Sequence, residues 1–328
     1  MKAIVYTEYG PAEVLKLADV ARPTPKANEV LIKTCAATVT AGDVNMRGFT
    51  FVPPGFGILP RLMFGLRKPR LPILGTELAG EVVAVGEAVT LFKEGDVVFG
   101  NGSDTVGAYA EYTCRAEQGA LALKPANLSC EEAAVLPFGA GTALHFLRNV
   151  ARLRPGQTVL VNGASGGVGV YAVQLAKYYG AEVTGVCSTC NVDLVESLGA
   201  DRVIDYTQVD FTHTGETYDV ILDTVAGKND FSRCQRALEP NGLYLAVAGG
   251  PREMVQMLWT SFAGGKKVMA GMASVNREDL QFLKALAEGG QIKPVIDRRF
   301  ALGQTADAHR YVDTGRKRGC VVITVAQE

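Results

Sequence analysis

Three glycines spaced by three, Gly163, Gly166 and Gly169, lie in the run VLVNGASGGVGVYAVQLAKYYG, where an apolar strand-like segment gives way to a helix-like one. Backbone without side chains can turn tightly there and approach a pyrophosphate closely. The helix that follows offers N–H groups and the positive end of its dipole. Gly169 also lets the helix press on a sheet. The chemistry this suits is dinucleotide binding, with a purely structural turn as the alternative. The position after a strand, at a helix start and inside a βαβ unit favours the binding reading.

The next strand ends in VCSTCN, which holds no acidic residue. Binders of NAD place Asp or Glu here to accept hydrogen bonds from the ribose 2′-hydroxyl, and that carboxylate would repel a 2′-phosphate. Ser188, Thr189 and Asn191 are neutral donors instead, and Tyr206, just after the third strand in VIDYT, could flank the same pocket. The missing charge favours NADP(H) over NAD(H), although no Arg or Lys sits in the stretch to pair with the phosphate. The alternative for Ser188 and Thr189 is N-capping of the next helix.

The elements that must hold these residues follow from periodicity. From about Thr158 strands and helices alternate: TVLVNG, a helix closed by Gly180, EVTGVCS, a shorter helix, then RVIDY, YDVILDTV and LYLAVAG. That order implies right-handed crossovers and a parallel, doubly wound sheet. The first third holds short β-like runs broken by Gly and Pro, which suggests an antiparallel, barrel-like domain. Ser129 with Glu132 three residues on makes a capping box at the change between them. The tail from PVIDRRFAL to CVVITVAQE returns to strand character and is expected to fold back onto the first domain. The expected division is 1–125 with 265–328, and 126–264. The segment 49–75 mixes prolines, large apolar side chains and four basic residues; it is either a surface excursion or a mobile flap over a substrate cleft.

The 328 residues are 48% hydrophobic and 20% charged, with 33 basic and 34 acidic side chains and a net charge of -1. No global field draws the chain to nucleic acid or to an anionic membrane. The start MKAIVYTEYG reads as a strand rather than a signal peptide, and no apolar run is long enough to cross a bilayer. The seven cysteines are scattered, with only Cys187 and Cys190 close together. A soluble, cytoplasmic, reduced protein is expected.

Beyond these local signals, longer stretches match a known pattern: YGPAEVLKL, PTPKANEVLIK, TAGDVNMRG, LGTELAGEVVAVG, GAYAEY, EEAAVLPFGAGTAL, GASGGVGVYAVQLAK, SLGADRVIDY and YDVILDTV. Through them the whole chain resembles the medium-chain dehydrogenase/reductase superfamily, and more closely its zinc-independent quinone oxidoreductase branch, which includes zeta-crystallin. The resemblance implies a GroES-like β-rich catalytic domain, a Rossmann cofactor domain, an active site in the cleft between them, and homodimers joined along an edge of the Rossmann sheet. Zinc-dependent relatives read Gly-His-Glu where this chain has Gly75, Thr76 and Glu77, and carry a catalytic Cys in the segment that here reads ATVTAGD. Without those soft ligands a catalytic zinc is not expected. His145, His213 and His309 are far apart in sequence and read as surface or core residues.

Residue by residue, the resemblance implies that Gly163, Ser165, Gly166, Gly167, Val168 and Gly169 cradle the pyrophosphate and that Thr142 lies near the nicotinamide ribose. Ser188, Thr189 and Tyr206 would surround the 2′-phosphate, Thr224 and Val225 flank the adenosine, and Gly249 and Gly250 meet the carboxamide. One of Arg316, Lys317 and Arg318, with Arg318 the choice, would reach the cofactor, unless the trio is a solvated turn. On the catalytic side stand Asp43, Asn45 and Arg47. Asn45 is expected to orient a carbonyl oxygen, and Asp43 with Arg47 to form a structural ion pair. The implied activity is hydride transfer from NADPH to quinones or α,β-unsaturated carbonyls. The alternatives are a zinc-independent NADP alcohol dehydrogenase or ketone reductase, and a non-catalytic NADPH-binding scaffold. No nucleic acid is expected as a partner.

Overall fold

In the computed structural model the described residues are 1–50, 61, 62, 64, 65, 68–102, 106–225, 231–247 and 249–325. The chain forms two compact units: residues 1–138, 275–288 and 294–328 make the first, and 139–274 with 289–293 make the second.

The strands of the first unit are β1 (Lys2–Val5), β2 (Lys16–Asp19), β3 (Glu29–Val39), β4 (Glu77–Val85), β5 (Val97–Asn101), β6 (Tyr112–Ala116) and β7 (Ala120–Leu123). The second unit supplies β8 (Thr158–Asn162), β9 (Glu182–Cys187), β10 (Arg202–Asp205), β11 (Tyr218–Asp223), β12 (Leu238–Ala246) and β13 (Lys267–Ala270). The chain then returns to the first unit with β14 (Ile296–Ala301) and β15 (Cys320–Thr324).

The second unit is built on one sheet in the order β10-β9-β8-β11-β12-β13, every pair parallel. The order reverses between β8 and β11, the switch point at which open α/β sheets bind ligands. β8 lies mid-sheet, and four of its five residues are buried, as a strand covered on both faces requires. The helix Gly169–Tyr178 buries eight of its ten residues. Ile221, Leu160, Tyr244 and Val268 belong to the core of this unit.

The first unit departs from the barrel-like expectation. Its sheet runs β14-β15-β3-β4-β5-β7 with β6 added on β3, and among the described residues it does not close. The cause is the length of β3. Its 11 residues pair with β4 on one side, while the other side is shared, residues 29–33 with β6 and 36–39 with β15. The sheet is also mixed, because β14 and β15 run parallel. Val30, Ile32, Leu78, Tyr109 and Val321 lie in its core.

The unit boundaries fall later than the sequence division. The helix Cys130–Ala134, capped reciprocally by Ser129 and Glu132, packs on β3 and β4 and so stays with the first unit. The return comes after residue 274 rather than near 265 because β13 pairs with β12. The helix Arg277–Glu288 then buries Leu280, Leu283 and Leu286 on one face within the first unit.

Candidate functional site

The glycine turn sits where β8 meets the helix Gly169–Tyr178. Gly163 has φ +80°, and a Cβ there would lie 2.5 Å from Thr224 Oγ1 and 2.8 Å from Val225 Cγ2. Glycine is therefore required twice, for the left-handed backbone and for space. The Gly163 and Ala164 N–H groups donate to Val186 O at 3.1 and 3.0 Å, tying the turn to β9. A Cβ on Gly169 would stand 2.1 Å from Gly163 O. Val168, at the N-cap, contributes no side-chain bond. In the first turn the Val170 N–H donates to Gly166 O at 3.0 Å and the Tyr171 N–H to Val168 O at 3.1 Å, so the N–H groups that could meet a ligand are those just before them, of Gly167, Val168 and Gly169. The helix Gly139–Leu144, which carries buried Thr142, approaches the same turn: a Cβ on Gly139 would come within 2.3 Å of Gly167 O.

Buried Ser165 accepts a hydrogen bond from Asn191 Nδ2 at 3.0 Å, and Ser188 Oγ accepts one from the same nitrogen at 3.2 Å. Asn191 is 8% exposed, and its Oδ1 is buried with no hydrogen-bond partner. Thr189 Oγ1 donates to Asp205 Oδ2 at 2.5 Å; Asp205 Oδ1 receives the Thr207 N–H and hydroxyl at 2.9 and 2.7 Å. The Thr189 bond is the main reason the Asp205 carboxyl sits below its ordinary pKa. Tyr206 is exposed beside them.

Thr224 donates to Asn162 O at 2.8 Å. Asp223, preceding it, joins three strand ends. Its Oδ1 accepts from Asn162 Nδ2 and Val225 N at 2.8 and 2.9 Å, and its Oδ2 from Tyr244 at 2.7 Å. Burial raises its pKa despite these donors. The Gly249 N–H donates to Ala246 O, and the Gly250 N–H donates to the Glu253 carboxylate at 2.7 Å. Residue 248 lies outside the described residues. Sequence reasoning passed over Asp205 and Asp223, although both are acidic residues closing apolar strands.

The remaining predicted residues are in the first unit. Arg318 donates its backbone N–H to Asp297 at 2.8 Å. Asn45 is exposed, and its Oδ1 accepts from the Thr50 hydroxyl at 2.9 Å. The expected Asp43–Arg47 ion pair is not formed. Asp43 is the N3 residue of the helix Ala41–Gly48, and its carboxylate turns back to Thr40, 2.8 Å from the backbone N–H and 2.6 Å from the hydroxyl. Arg47 reaches the other way, to Asp313 at 3.0 Å, the Gly10 carbonyl at 3.1 Å and His309 Nδ1 at 3.2 Å. His309 is fully buried, against Tyr109.

Burial lifts Asp43 to a pKa of about 6 and Glu77 to about 7, and lowers His309 to about 3. Glu77 accepts from the Thr38 hydroxyl and, at 2.5 Å, from Phe138 N. Among the described residues no group of three or more His, Cys, Asp or Glu side chains could hold a metal ion.

Of the segment 49–75, residues 51–60, 63, 66 and 67 lie outside the described residues. Phe49 ends the helix Ala41–Gly48 with φ 52°, a left-handed cap made by a bulky residue. Its ring packs 5.0 Å from that of Tyr9. Together with Tyr6, Phe64, Met46 and Arg70 they line a cavity of about 280 Å³, apolar except for the arginine.

The alcohol dehydrogenase GroES-like domain family matches residues 26–125, and the zinc-binding dehydrogenase family matches residues 198–323. The chain is similar to the chloroplastic NADPH-dependent alkenal/one oxidoreductase of Arabidopsis thaliana, 35% identical over 98% of this chain and 79% of that one. It is similar to the quinone oxidoreductase of Homo sapiens, 32% identical over 96% of this chain and 94% of that one. The solved quinone oxidoreductase of Coxiella burnetii superposes with a TM-score of 0.88 at 31% identity, covering 99% of each chain. No helix among the described residues is long and apolar enough to cross a membrane.

Proposed function

We propose a function from the premise that this chain belongs to the medium-chain dehydrogenase/reductase superfamily, in its zinc-independent quinone oxidoreductase branch: it reduces quinones and α,β-unsaturated carbonyls with NADPH. The observation that carries the cofactor half is the turn at the switch point, where a Cβ on Gly163 or Gly169 would strike neighbouring atoms and the adjoining helix start lacks a side-chain cap. That cradle fits a pyrophosphate.

When bound, the dinucleotide supplies a hydride. The turn Gly163 to Gly169 cradles its diphosphate, with the N–H groups of Gly163, Ala164 and Gly166 tying the turn itself and those of Gly167, Val168 and Gly169 facing the ligand, and Thr142 orients the nicotinamide ribose. Thr224 and Val225 flank the adenosine, and Gly249 and Gly250 offer backbone groups to the carboxamide. Ser188, Thr189 and Tyr206 surround the 2′ position, and Arg318 is the proposed outlying cation. Asn45 orients the acceptor oxygen, where negative charge develops on the enolate or hydroquinone, and protonation comes from water. The aromatic cavity of Tyr6, Tyr9, Phe49 and Phe64 suits a flat apolar acceptor.

Zinc has no place in this scheme. At the family's zinc-ligand position Thr76 offers a neutral hydroxyl, and Asp43 is held by Thr40.

The test follows the absorbance of reduced nicotinamide while quinones, enals and enones are offered. Oxidation of NADPH with saturation of the carbon–carbon double bond is expected. Carbonyl reduction alone would favour the ketone reductase reading, and tight dinucleotide binding with no turnover would favour a scaffold.

The chain is further proposed to pair with a second copy. The helix Pro251–Phe262 packs on the edge strand β13 and exposes Met254 (53%), Val255 (66%), Leu258 (62%), Trp259 (70%) and Phe262 (91%). One helix face so apolar marks an association surface. Val255→Glu with Phe262→Glu is expected to convert a dimer to a monomer in multi-angle light scattering; an unchanged mass would remove this face from the interface.

A further inference from the structure

Two of the hydrogen-bond donors near the 2′ position, Thr189 and Asn191, are engaged within the protein, which leaves the Ser188 and Tyr206 hydroxyls. The Thr189 hydroxyl proton points at Asp205 Oδ2, 2.5 Å away. The Asn191 amide nitrogen donates to Ser165 and Ser188. What the cluster presents instead is acceptors. Asn191 Oδ1 is buried without a donor, and Asp205 is a carboxylate held by two threonine hydroxyls and a backbone N–H. The leading groups that hold Asp205 ionised are the Thr189 and Thr207 donors rather than a cation.

Register explains why a residue of β10 enters this position. Asp205 pairs with Cys187 across the parallel ladder, and the Tyr206 N–H donates to Cys187 O at 3.0 Å. The carboxylate thus lies beside the end of β9, the strand end from which Rossmann folds read the ribose. An acid missing from β9 is supplied by its neighbour. A ribose 2′-hydroxyl would donate to the Asp205 carboxylate, whereas a 2′-phosphate has no O–H to give at neutral pH and adds like charge.

We propose that Asp205 is a specificity-determining residue that reads the ribose 2′-hydroxyl, so that NADH is bound within about tenfold of NADPH. The inference rests on the dinucleotide site proposed above and narrows its preference for the phosphorylated cofactor.

Titration calorimetry of NADPH and NADH tests it without any acceptor substrate. In the unaltered protein the two dissociation constants are expected to agree within about tenfold. In Asp205→Asn they are expected to move in opposite directions, NADPH tightening and NADH weakening, with the ratio shifting by about 30-fold. A purely structural role would move both the same way, and that result, or an unaltered protein preferring NADPH by more than about 100-fold, overturns the proposal. The unaltered protein alone decides the matter if the variant does not fold. Failure to bind either dinucleotide overturns the cofactor site itself and this inference with it.

Discussion

Gly169→Ala is expected to destabilise the fold by about 3 kcal/mol and to abolish dinucleotide binding, whereas Gly166→Ala is expected to keep the fold and lose about 100-fold in affinity, or about 2.8 kcal/mol. The contrast comes from what each new methyl would meet. At Gly169 it lies 2.1 Å from Gly163 O and 2.8 Å from two backbone atoms of Ala164, so the helix start must shift off the turn. At Gly166 the nearest atom is Gly163 O at 3.2 Å, a contact relieved by a few tenths of an ångström. There the methyl obstructs only what approaches from outside. Urea midpoints from far-UV circular dichroism, set beside calorimetric dissociation constants, check both. A Gly166→Ala protein that binds NADPH as tightly as the original would remove the pyrophosphate from this turn.

The second large effect concerns Glu77. Folded, it holds its proton to about pH 7; unfolded, it should titrate near the ordinary glutamate value of about 4.3. Between those values the folded state binds more protons than the unfolded one, so the Glu77 contribution to stability is complete at low pH and is lost as pH rises through about 7. The shift amounts to about 4 kcal/mol, most of it expressed above about pH 4.5. Asp43, raised to about 6, acts in the same sense over a lower window. His309, lowered to about 3, acts oppositely, adding stability as pH rises towards its ordinary value. Because His309 and Asp43 are common to both proteins, the difference between Glu77→Gln and the original reports Glu77 together with its charge coupling to Asp43. Relative to the original, the variant is expected to gain about 3 kcal/mol between about pH 4.5 and pH 8. A difference that is flat in pH would mean that Glu77 is ionised throughout.

Features of local origin were legible in the sequence. The Gly163 turn, the Ser129–Glu132 cap and the alternation behind the parallel sheet each depend on residues a few positions apart. The Asp43–Arg47 pairing failed because helical spacing shows which residues are near, but not which competitor wins. A capping threonine three residues back took the aspartate, and Asp313, at the far end of the chain, took the arginine. The role of Asp205 was hidden for a related reason. It arises from the register between β9 and β10, and a scan of the β9 terminus alone sees only its neutral residues. The open sheet of the first unit was equally out of reach, since it depends on two strands sharing one edge of β3.

The chain holds a single tryptophan, and it is Trp259, on the exposed apolar helix beside β13. Its emission is therefore an optical reporter of that one face rather than of either core. In the dimer proposed above, a dilution series should shift the spectrum to the red as water reaches the indole, long before any strand melts. Denaturation curves followed by fluorescence would then record separation of subunits, and only dichroism would record loss of the fold.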